Sequence, residues 1–168
     1  MTLARSAKAV MSRVDGISNV SELFKMINQS ARIMEHDLDG TSGVIYSIFF
    51  TALAAELRAI TTSSMNHEAC AQATDQSLEE LQQAMPARQG DGTLMDELEP
   101  LVKSLVQGAS LADAVAAAKY GMEATKGLKA SLRHAVYVPE NVWASQMPDP
   151  GAQGFVCIVE GFEAATRG

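Results

Sequence analysis

The chain has 168 residues, 47% hydrophobic and 20% charged, which fits a single domain over residues 1–168 with enough length to bury a core. Thirteen basic against twenty acidic residues leave a net charge of −7, so the electrostatic footprint of a nucleic-acid binder is missing and an anionic membrane surface is disfavoured. Few aromatics, much alanine and nine methionines favour helix over strand.

Periodicity and capping residues predict seven helices in chain order. The N-terminus has no long apolar run of the signal-peptide kind, which leads to the expectation of a cytoplasmic protein. The first helix is expected over Thr2–Val14 and is broken by Asp15-Gly16. The second covers Asn19–Leu38, with Leu23, Met26, Ile27 and Met34 on one side. The third, Ser42–Ile60, is apolar nearly all round and is expected to be a central core helix, its uncharged run being too short to span a bilayer. The fourth, His67–Met85, is stopped by Pro86. The fifth, Thr93–Gln107, opens with Thr93 and Asp96 spaced as a capping box, carries Pro100 inside it, and ends at Gly108. The sixth, Leu111–Leu132, has Ser110 as its cap and is weakened by Gly121 and Gly127. The seventh, Pro150–Thr166, has Asp149 as N-cap and proline at the favoured first position. No segment alternates over five residues, so the fold class is all-α: an antiparallel up-and-down bundle or helical barrel of about seven helices.

Three loops are unusual. Asp39-Gly40-Thr41-Ser42-Gly43, Gly90-Asp91-Gly92-Thr93 and Asp149-Pro150-Gly151-Ala152 each lead directly into a helix, the third, fifth and seventh. In an up-and-down arrangement these odd-numbered helices start at one end, so the loops are expected to converge on one rim. A helix start exposes unpaired amides and the positive end of the dipole, and glycine lets a ligand come close. Three such starts together would cradle a phosphate. Thr41, Ser42 and Thr93 add hydroxyls; Asp91 and Asp149 either cap helices or hold a metal bridging phosphates. Each loop alone is also ordinary helix-start chemistry, and only their convergence raises the functional reading.

Other residues carry less. Cys70 and Cys157 have no CxxC spacing and are expected to be core thiols. His36 suits a helix C-terminus, and His67-Glu68 lacks the second histidine of a metalloprotease helix. His134 is a candidate phosphate or nucleotide contact, whereas Trp143 and the methionines read as packing. No Walker A pattern and no Ser/His/Asp set emerge from spacing.

At the same loops the sequence resembles the nucleotide-binding domain of dihydroxyacetone kinases. Gly40-Thr41-Ser42-Gly43 with Tyr46, Phe49 and Phe50 is similar to the family's GTSG-x-x-Y-x-x-F-F segment. Gly90-Asp91-Gly92-Thr93-Leu94-Met95-Asp96 is similar to its GDRTMLD run, and Ala135-Val136-Tyr137-Val138 followed by Pro148-Asp149-Pro150-Gly151-Ala152 to its GRAxYV…PDPGA ending. The resemblance runs from about Leu3 to the C-terminus and is strongest to the C-terminal domain of fused, ATP-dependent kinases. It implies an eight-helix barrel that binds ATP or ADP at one rim, with magnesium held by aspartates of a GDGD-type loop. It also implies a partner, fused or separate, that binds dihydroxyacetone. By matching motif, Thr41, Ser42, Thr93, Leu94, Asp149, Pro150 and Gly151 carry over as nucleotide contacts.

The sequence also departs from that pattern. Met1 falls about where the aspartate loop has ended, so the magnesium site and the first helix are expected to be incomplete here, and the open edge to favour self-association. Asp39 stands where the family usually has Gly, Gly92 replaces Arg or Lys, and Arg133-His134 replaces Gly-Arg. Each change makes the neighbourhood of a polyphosphate less positive. The sequence therefore supports a kinase lineage with phosphoryl transfer from ATP to dihydroxyacetone or a related triose. The alternative is a non-catalytic helical binding or regulatory module, or an inactive remnant of such a kinase.

Overall fold

Helices are the regular elements that this sequence builds. The structure, a computed structural model, describes residues 25, 27–32, 35, 41–60, 66–126 and 150–166. Among them lie five long helices: α1 (Thr41–Ala59), α2 (His67–Ala84), α3 (Met95–Val106), α4 (Leu111–Ala124) and α5 (Pro150–Thr166). No strand occurs among the described residues, and the chain is all-α. Residues 27–32, inside the second predicted helix, are helical, with Ser30 and Ala31 buried. The first predicted helix and Trp143 lie outside the described residues. The chain divides into two compact units, Met1–Met85 and Pro86–Gly168.

In the first unit α1 packs on α2. Ile45, Tyr46, Phe49, Ala52 and Leu57 form the buried side of α1, and the rings of Tyr46 and Phe50, one turn apart, stack with centroids 6.2 Å apart. The expected all-round burial of this helix is not what the structure has. Val44 is 49% exposed, and Thr51, Ala55 and Arg58 are also exposed. Small side chains made the outer face look apolar in sequence, although they need no burial. By length and composition Ser42–Ala59 is apolar enough to cross a membrane, yet its buried face lies on a neighbouring helix. α2 is capped by Asn66, whose Oδ1 accepts from the Ala69 amide at 2.8 Å. It buries Ala71, Ala73, Ser77, Leu78 and Leu81. It ends as expected, because Met85 precedes Pro86 and is extended.

In the second unit α3 packs on α4 and α5, and α4 on α5. A tight turn through Gly108 (φ 79°) joins α3 to α4. The two run antiparallel, because Gly121 near the end of α4 lies against Asp96 at the start of α3. A Cβ built on Gly121 would meet the Asp96 carbonyl oxygen at 1.9 Å, so this position admits only glycine. Gly121 is thus a close-packing residue rather than a weak point in the helix. Pro100, inside α3, has no N–H to donate to the Asp96 carbonyl one turn back, and the α4 backbone approaches that same carbonyl.

Two expectations need correction here. α4 ends at Ala124, short of the predicted Leu132: the Thr125 hydroxyl donates back to the Met122 carbonyl at 2.7 Å, and the following amides close tight i−3 turns. Cys157 is exposed rather than buried, because α5 turns Phe155, Val156 and Val159 inward; Cys70 is half-buried, and burial pushes its thiol pKa up.

Candidate functional site

Glycine-bearing helix starts occur in both units. In the first, Thr41 opens α1, Ser42 is half-buried and Gly43 is buried in the first turn. That turn holds no acidic residue, so the amides of the helix start face no charge from their own helix.

The start of α3 is built differently. Gly90 (φ 101°) and Gly92 (φ 66°) take left-handed conformations that only glycine adopts readily, and they fold residues 88–94 into a tight loop. The loop is fastened by carboxylates. Asp96 accepts from the Gly90 amide through Oδ1 at 2.7 Å and from the Thr93 amide through Oδ2 at 2.8 Å. Glu99 accepts from the Gln89 amide at 2.9 Å and pairs with Lys103 at 3.1 Å. Asp91 accepts from the Arg88 amide at 2.8 Å and returns its own amide to the Arg88 carbonyl. Asp96, Glu97 and Glu99 are all buried, and so are Thr93 and Leu94.

Half of the expected capping box is therefore realised. Asp96 takes the Thr93 amide as expected, whereas the Thr93 hydroxyl accepts from the Met95 amide at 3.3 Å and regular helix begins two residues later. Four amides of this loop, those of Arg88, Gln89, Gly90 and Thr93, are held by the chain's own carboxylates. The side chains of Thr93 and Leu94 are turned inward.

α5 opens with Pro150 and Gly151 and also has no acidic residue in its first turn. Gly40, His134 and Asp149 lie outside the described residues. The loop at Thr41–Gly43 belongs to one unit, and those at Gly90–Leu94 and Pro150–Gly151 to the other. Among the described residues no three His, Cys, Asp or Glu side chains come together to hold a metal ion.

Sequence reasoning missed Glu99, which reaches an amide ten residues earlier, and Gly121. The signal for Gly121 was present: a glycine in a helix interior either weakens the helix or admits a close neighbour.

A family model described as the DAK2 domain matches residues 1–164. A dihydroxyacetone kinase of Komagataella pastoris is 34% identical, the match covering 98% of this chain and 29% of that protein. The triokinase/FMN cyclase of Homo sapiens is 28% identical over 94% of this chain and 28% of its own length. The crystal structure of the dihydroxyacetone kinase of C. freundii in its native form superposes with a TM-score of 0.66 at 26% identity, over 98% of this chain and 27% of that one. The chain thus spans under a third of the length of these relatives.

Proposed function

The chain belongs to the DAK2 domain family, and from that premise we propose that it is the nucleotide-binding part of a dihydroxyacetone kinase, of the C-terminal, ATP-dependent type. The reaction is phosphoryl transfer from ATP to dihydroxyacetone or a related triose, completed by a substrate-binding domain, fused or separate. The observation that carries this reading is the start of α1: two hydroxyl residues, a buried glycine and no acid in the first turn. Such a turn offers amides and a positive dipole end to a phosphate, and Gly43 lets the phosphate approach the backbone. Thr41, Ser42 and Gly43 would hold the phosphates there. When bound, the nucleotide supplies the transferable phosphoryl group; the chain's own part is to hold and orient it.

The test is thermal unfolding of the whole chain with ATP or ADP, with and without magnesium. A nucleotide present at about 100 times its dissociation constant should add about 2.7 kcal/mol. Thr41→Val with Ser42→Ala should remove that gain, and substitution of the exposed His67 should not. No gain with either nucleotide overturns the reading and leaves a helical module without a nucleotide role.

A further inference from the structure

We draw no further inference here: the strongest candidate, the apolar face of α5 that continues from the buried Phe155 and Val159 to the 52% exposed Phe162, carries nothing because nothing among the described residues shows what covers its end.

Discussion

The starts of α1 and α3 read alike in sequence and are built on opposite plans. Gly40-Thr41-Ser42-Gly43 and Gly90-Asp91-Gly92-Thr93 are both glycine and hydroxyl runs that enter a helix. At α1 the first turn has no acid, and Val44 beside it is exposed. At α3 the loop is closed by Asp91, Asp96 and Glu99, and its hydroxyl is buried. A carboxylate in the first turn of the helix is what separates a start that can accept an external anion from one that already contains its own. Composition of the loop does not reveal this; the residues that follow it do.

The largest effect should come from forcing the α3 start off its support. Gly121→Val places a branched side chain where even a Cβ would lie 1.9 Å from the Asp96 carbonyl oxygen, an atom of backbone that cannot rotate away. We expect a loss of about 3 kcal/mol or more in urea unfolding. A loss under about 1 kcal/mol would mean that α4 does not pass against α3 as described. Asp96→Ala comes next. It leaves the Thr93 amide buried without its acceptor and frees the Gly90 amide to water, for an expected loss of about 2–3 kcal/mol. Ser42→Ala at the start of α1 should lose well under 1 kcal/mol in the same assay. Equal losses at the two positions would erase the distinction between the two starts.

Gly90→Ala isolates the backbone contribution. Nothing lies within 4 Å of a Cβ there, so only the φ of +101° resists the change, and the expected loss is about 1–2 kcal/mol. The sequence made this position legible as a turn, and it made most of the fold legible too. The ends of α1, α2 and α5 fell within two residues of their expected bounds, and for α2 and α5 the signals, Pro86 and Pro150, act locally. The end of α4 was misread, because its stop is a threonine turned back on a carbonyl, and threonine in a helix-like pattern gives no such notice. The glycine loops were legible as motifs and not as geometry. Asp96 stood in the right place for a capping box, but its second oxygen reaches Gly90, six residues back, and Glu99 reaches Gln89, ten residues back. Those contacts depend on the path that two left-handed glycines set for the loop, which no periodicity encodes.

The smallest change in stability should be the most telling for function. Val44→Glu gives α1 the acid in its first turn that α3 has and α1 lacks. Val44 is 49% exposed, so little packing is lost, and a carboxylate at the positive end of a helix stabilises it by about 0.3–1 kcal/mol. The folded chain should therefore melt at the same temperature or slightly higher. If this turn holds phosphates, the same carboxylate now repels them: two unit charges 4 Å apart interact by about 4 kcal/mol near a protein surface before salt screens them. ADP affinity should then fall by about tenfold or more, with the deficit shrinking as salt is raised. Equal stability with unchanged ADP affinity would move the phosphates away from α1 and leave the start of α5 as the acid-free turn that could hold them.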